Sequence, residues 1–396
     1  MSRTANTGWL YYKGYYHDFD FHFQGSDKKR DEYQESFFRR KNNEIFDQRI
    51  DQLPVRVAQS EGNFNVEAIQ LITTYPGLAT GTGMTHETGS KGESKLGFSF
   101  DHATGIPYLP GSSVKGNLRS AFPQEVVSQK KTLDTIGIQE RRTFIHTLLG
   151  TILNKNEEEL AELRKAYLEG CGIDKEIHAM VEPLADLLER EIFDGTFPAI
   201  KTEGEDEKGD IVHKLKSVYD RDIFFDAFPV ESLAHDGRIL GEDFITPHKH
   251  PTRKELDKFA NPVPVQFLKI LPKVIFEFRF QTQDGLLTSE QKLTLIETIL
   301  IFQGVGAKTN VGYGQLEKPE EPVVYEEKQI IQGRVLSDWV NGKPGHILVE
   351  IEEAGWKGEV IVGKKKQKRY QDDEITDFTI TGVDEKGKIT RVRGMK

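Results

Sequence analysis

The sequence predicts an α+β fold: a ferredoxin-like domain carrying a helical insertion, followed by a small β-barrel-like domain of the OB or S1 type. Three observations carry that prediction. Between residues 64 and 318, strand-like and helix-like runs follow the order strand, helix, strands, helix, strand. A block with apolar residues three and four apart interrupts this order over about 124–200. Beyond a proline- and charge-rich linker, 319–328, short β-rich runs separated by glycines fill 329–396.

Residues 1–63 open with the aromatics Trp9, Tyr11, Tyr15, Phe19, Phe21 and Phe23. Their close alternation suits an edge strand or hairpin, and the charged run after them suits an exposed helix or a mobile arm. The first compact domain opens near Phe64, where NVEAIQLITTYPGLATGTG reads as a strand entering a glycine turn. SSVKGNLRSAF forms a short helix, begun by serine and stopped by Pro123. FIHTLLGTIL, EEELAELRKAYLEG and MVEPLADLLEREIF build the helical insertion, and 201–210 form a solvated loop. Strand character returns in DIFFDAFPV and in PVQFLKILPKVIFEFRF, where Phe276, Phe278 and Phe280 alternate with Glu277 and Arg279. A helix from Thr288 to Gln303 places Leu293, Ile296 and Leu300 on one face and ends in a glycine-rich loop. For 329–396, a β-hairpin extension docked on the main domain is the alternative to a barrel.

Composition narrows the function. The chain has 396 residues, 37% of them hydrophobic and 29% charged, which suits a globular protein with a core. No apolar run is long enough to cross a bilayer, so no membrane is expected among the partners. The opening residues lack a signal-peptide core, and the single cysteine, Cys171, excludes an internal disulfide framework; both point to the cytoplasm. A net charge of −10 argues against a free-standing, non-specific coater of DNA, and implies that any RNA contact is local or shared with neighbouring subunits.

Four segments carry candidate chemistry. GLATGTGMTHETG, with Gly77, Gly81 and Gly83, is either a loop that cradles an RNA backbone or a flexible hairpin. In DHATGIPYLPGSSVKGNLRSAF, Ser112 and Ser113 start a helix whose Lys115 and Arg119 share one face. That tip suits a phosphate or is an ordinary capped surface helix. GVGAKTNVGYG sets Gly304, Gly306, Gly312 and Gly314 around Lys308, Thr309 and Asn310, with Tyr313 offering a ring for stacking. It is not a P-loop, because the helix precedes the loop and a strand follows; nor is it a dinucleotide fingerprint, because Thr309 stands at the third glycine. Asp226, Asp243, His248 and His250 invite a metal or acid–base reading. The histidines are two apart among prolines, so no metal, no cofactor and no small-molecule substrate is expected. The basic run Lys364 to Arg369 is either a solvated loop or a nucleic-acid-facing edge of the barrel.

Taken in order, GTGMTHETG, DHATGIPYLPGSSVKGNLRSAF, FFDAFPV, DFITPHKH, NPVPVQFL and GVGAKTNVGYG resemble the RAMP proteins of CRISPR systems, those of the Cmr (type III-B) effectors in particular. The resemblance implies an RRM-like fold and a glycine-rich loop near its end. It also implies a non-catalytic subunit in antiviral defence that contacts guide RNA (crRNA) near its 3′ side and packs beside the repeated backbone subunit, with target RNA a further partner. It gives the glycine-loop role to Gly304, Gly306, Lys308, Gly312 and Gly314, and the helix role to Ser112, Ser113, Lys115 and Arg119. The competing expectation is a RAMP-type endoribonuclease that processes precursor crRNA, with His86, His102 or Asp101 as acid and base. The N-terminal arm and the C-terminal β domain depart from the family pattern.

Overall fold

The computed structural model describes residues 6–49, 66–86, 88–95, 97–124, 135–200, 211–233, 237–245, 264–320, 325–384 and 388–395. The chain divides into two compact units, Met1–Pro319 and Glu320–Lys396. In chain order the first unit contains α1 (Thr7–Trp9), α2 (Asp27–Phe46), β1 (Glu67–Thr73) and α3 (Gly111–Arg119). Next come the helices of the insertion, α4 (Thr135–Leu153), α5 (Glu157–Gly170) and α6 (Leu184–Glu189), and the strands β2 (Thr196–Ile200), β3 (Ile211–Leu215), β4 (Ile223–Phe224) and β5 (Phe228–Ser232). β6 (Leu240–Ile245), β7 (Val265–Ile270), β8 (Val274–Gln281), α7 (Ser289–Gln303) and β9 (Leu316–Glu317) complete it. The loop predicted at 201–210 lies outside the described residues, as do His248 and His250.

The N-terminal segment differs from expectation. It is helical, α1 continuing into a π-helical turn over Leu10–Gly14, and it is part of the core rather than an edge strand. Tyr11, Tyr15 and Phe19 recur every four residues, the spacing of one helix face. They pack with Phe37, Phe38 and Ile45 of α2 in the main hydrophobic core.

The central sheet is antiparallel in the order β4-β8-β1-β9, with β5 also on β8. β8 is its middle because Phe276, Phe278 and Phe280 all point into the core, and Leu71 of β1 sits opposite Phe276. A two-stranded sheet, β6 with β7, stands beside this one. α7 starts with a capping box between Thr288 and Gln291, which satisfies two backbone donors at its first turn. It buries Leu295, Ile296, Ile299 and Leu300.

The second unit contains β10 (Ile330–Ser337), β11 (His346–Ile351), β12 (Trp356–Ile361), α8 (Lys364–Gln367), β13 (Ile375–Val383) and β14 (Ile389–Gly394). Its five strands form one antiparallel sheet in the order β12-β11-β10-β13-β14. The outer strands β12 and β14 touch, so the sheet is nearly closed. Val335, Ile347, Val349, Ile351, Phe378 and Ile380 fill its interior, the inward half of each alternating strand.

Candidate nucleic-acid interface

The two glycine loops come together. The Ala307 N–H donates to the Ala79 carbonyl at 2.7 Å and the Gly314 N–H to the Gly77 carbonyl at 2.8 Å. Within the second loop, the Val305 N–H donates to the Gly314 carbonyl at 2.9 Å. This lacing explains most of the glycines. Gly314 has φ +74°, and an added Cβ there would collide with the Val305 carbonyl oxygen; at Gly306 it would meet the Ala79 oxygen. Their lack of a side chain lets one strand of this protein press on another. Gly77, Gly304 and Gly314 are buried; Gly81, Gly83 and Gly306 remain exposed and Gly312 partly so. The amides of Gly306 and Lys308 donate no hydrogen bond among the described residues.

Tyr313 does not offer a ring. It is 8% exposed, packed with Ala79 and Phe267, and its hydroxyl donates to the Asp243 carboxylate at 2.7 Å. Lys269 pairs with the same carboxylate at 2.6 Å. Burial works against the charge on Asp243. Lys269, Tyr313 and the Phe244 N–H outweigh it and hold the carboxyl below its ordinary range. Burial and the nearby Asp243 push the Tyr313 hydroxyl's pKa up.

The exposed ring belongs to Tyr75, a residue the sequence reading passed over. It is 84% exposed on the turn after β1, whose Pro76 lies 3.6 Å from where a Cβ on Gly312 would be. The neighbouring turn between β7 and β8 is tied to the same corner, because the Lys273 N–H donates to the Thr73 carbonyl at 2.7 Å. Lys273 and Lys308 make no ion pair among the described residues, although the Lys308 ammonium lies 5.9 Å from the centre of the Phe267 ring. Tyr75, Lys273, Lys308, Thr309 and Asn310 thus share one loop cluster. A tyrosine directly before a Pro-Gly turn was the available signal, since connecting turns run over the surface.

α3 serves a different purpose from the one its sequence suggests. Arg119 donates to Glu189 at 2.9 Å and to both oxygens of Asp194, at 2.7 and 3.1 Å. Its guanidinium therefore clamps α3 to the insertion and is not available to a phosphate. Lys115 lies over the Phe224 ring at 5.6 Å, and burial lowers its pKa. The helix start is also taken, for the Asp226 carboxylate accepts from the Gly111 N–H at 2.7 Å where an anion would sit. Ser112 is exposed and the Ser113 N–H donates to the Pro110 carbonyl.

The ribonuclease candidates separate in the same way. His86 is 2% exposed, stacked on Tyr15 with ring centres 4.0 Å apart, and its nitrogens face the Ser94 and Tyr11 carbonyls. Burial lowers its pKa. Asp101 accepts from the Thr104 hydroxyl and amide, while His102 is exposed. Among the described residues no group of three or more His, Cys, Asp or Glu side chains is placed to hold a metal. No described helix is long and apolar enough to cross a membrane.

With this geometry in hand, the family is clear. The model of the RAMP superfamily matches residues 70–317, more than half of the chain, and the chain belongs to that superfamily. Within it, the chain is similar to the CRISPR system Cmr subunit Cmr6 of Pyrococcus furiosus, at 27% identity over 226 residues. The match covers 54% of this chain and 58% of that protein, so the chain spans under two thirds of its relative. Among solved structures it aligns with a chain of the type III-B Cmr-beta complex bound to cognate target RNA, at TM-score 0.41 and 19% identity, over 77% of this chain and 79% of that one. The crystal structure of Cmr6 from Pyrococcus furiosus aligns at TM-score 0.32 and 20% identity, over 64% of this chain and 99% of that one.

Proposed function

We propose that this chain is a non-catalytic subunit of a type III-B (Cmr) CRISPR effector complex, and that it holds guide RNA at the laced glycine loops. One observation carries the reading. Two loops bonded to each other, with the β7–β8 turn tied beside them, present an exposed tyrosine, two lysines free of ion pairs and two backbone amides without an acceptor among the described residues. Amides and lysines suit ribose-phosphate and an exposed ring suits an unpaired base, a combination that accepts a guide of any sequence. Gly312, where an added Cβ would meet nothing nearer than Pro76, gives the strand close approach, Lys273 and Lys308 supply charge, and Tyr75 takes the stacking role first given to Tyr313. The strand order β9-β1-β8-β4 supports the ferredoxin-like, RRM-like description of this unit. The similarity to a Cmr subunit supports placing it in the cytoplasm beside a backbone subunit, in antiviral defence. A buried His86 weighs against the processing-ribonuclease alternative.

The test is guide-RNA retention in the assembled effector. Tyr75→Ala weakens it by about fivefold to a hundredfold, the range of one lost base stack. Lys273→Glu with Lys308→Glu lowers the slope of affinity against salt by roughly 0.7 per cation. Retention unchanged in both variants, or site-specific cleavage of precursor RNA by the purified chain, overturns the reading.

A further inference from the structure

The C-terminal unit lies outside the residues matched to the family, and one end of it has the make-up of a binding surface. Directly after β12, α8 and the residue beyond it carry Lys364, Lys365, Lys366 and Lys368, all exposed. None of the four forms an ion pair among the described residues. Four like charges within five residues repel one another and add nothing to the fold.

This run is not a loose loop. Gln367 fixes it to the turn between β10 and β11: its side-chain oxygen accepts from the Gly345 N–H at 2.8 Å. Its amide group donates to the carbonyls of Asp338 at 2.7 Å and His346 at 3.1 Å. Gly345 has φ +87°, and a Cβ there would stand 2.9 Å from the Lys364 nitrogen. Its carbonyl accepts from both the Val362 and Gly363 amides. Turn and basic run are therefore one block.

The same turn displays Trp339, 55% exposed, next to the Asp338 carbonyl that holds Gln367. Lys343 in this turn is engaged with Glu359 at 2.8 Å and contributes no free charge. The Asp372 carboxylate is turned to the backbone, where it accepts from the Asp338 N–H at 2.6 Å.

We infer that this end of the barrel is a second nucleic-acid surface, one that binds single-stranded RNA by stacking a base on Trp339 and neutralising phosphates with the four lysines. The ring selects this partner. An acidic protein would account for the lysines alone, whereas rings set among cations match unpaired bases along a phosphate chain. The surface stands on its own residues and does not depend on the glycine-loop reading.

The experiment uses the full chain and a fluorescein-labelled single-stranded RNA of mixed sequence, about sixteen nucleotides long. Replacing the four lysines with glutamate (K364E, K365E, K366E, K368E) weakens binding by about tenfold or more and cuts the salt slope by roughly two to three. Trp339→Ala weakens it about fivefold or more and Trp339→Phe restores most of it. Both losses persist when Tyr75→Ala is already present, which separates this surface from the glycine loops. Ultraviolet crosslinking of the unmodified chain places RNA on Trp339 or its neighbours whatever the variants do to folding. Binding unaffected by either set of variants, losses that vanish in the Tyr75→Ala background, or equal affinity for duplex RNA overturns the inference.

Discussion

Two sets of cations in the first unit carry the same charge and live in opposite surroundings. On the side of the helical insertion, Arg119 is held by Glu189 and Asp194, Arg142 by Asp186 at 2.7 Å, and Lys292 by Glu191 and Asp222. At the glycine loops, Lys273 and Lys308 have no carboxylate partner among the described residues. The first set binds parts of the chain to one another; the second leaves its field open to an outside anion. The spacing of basic residues along a helix therefore says little about binding until the acidic residues facing them are known.

The sharpest way to break this comparison is at its most buried point. Lys292 is 0% exposed, and its ammonium lies 2.8 Å from Glu191 and 3.0 Å from Asp222. Glu191 also accepts from the Tyr167 hydroxyl and the Leu286 N–H, so α7, the insertion and the segment before β4 meet at this group. Lys292→Met removes the ammonium that Glu191 and Asp222 share, leaving Lys216 at 3.5 Å as the remaining cation on Glu191, at a cost of about 3–5 kcal/mol. Urea titration is expected to show that loss, with partial recovery in Lys292→Met combined with Glu191→Gln. A stability equal to the parent would mean that the insertion is held by packing alone.

A smaller effect tests the division of labour itself. Arg119→Ala removes charge-assisted bonds to two carboxylates, one of them nearly buried, and lowers stability by about 1.5–3 kcal/mol. At temperatures where the variant is folded, its RNA affinity stays that of the parent. A drop in affinity with unchanged stability would return Arg119 to the binding set.

The sequence made several elements legible for simple reasons. The alternation of phenylalanines in β8, the Thr288 start of α7 and the glycine-punctuated strands after 329 are local patterns, and local patterns decide these elements. The same holds for the identity of the glycine loops. What the sequence concealed was decided by distant partners. Lys115 and Arg119 do share a face, yet Glu189 and Asp194, seventy residues and more downstream, determine what that face does. Tyr75 stands two residues before a glycine and Tyr313 between two, and only the fold reveals that Asp243 and Phe267 enclose the second while the first stands in solvent. The helical N-terminal segment had a readable signal in its four-residue aromatic spacing, masked by the alternate aromatics from Phe19 to Phe23.

The smallest expected effect concerns the support beneath the loops, where Asp243 joins Lys269 and Tyr313. Its carboxyl is held below the ordinary range in the fold, so the folded state binds a proton there less readily than the unfolded chain does. The stability it contributes is complete at neutral pH. It fades as pH falls below the unfolded carboxylate value of about 4 and through the lower folded one. Asp243→Asn is then less stable than the parent at pH 7, and the gap between them narrows as pH falls below about 4. Urea midpoints of both proteins across that range measure it directly, the other carboxylates being common to the pair. A gap that stays constant with pH would show that Asp243 supports the loops through shape and hydrogen bonding to Tyr313, with no part played by its charge.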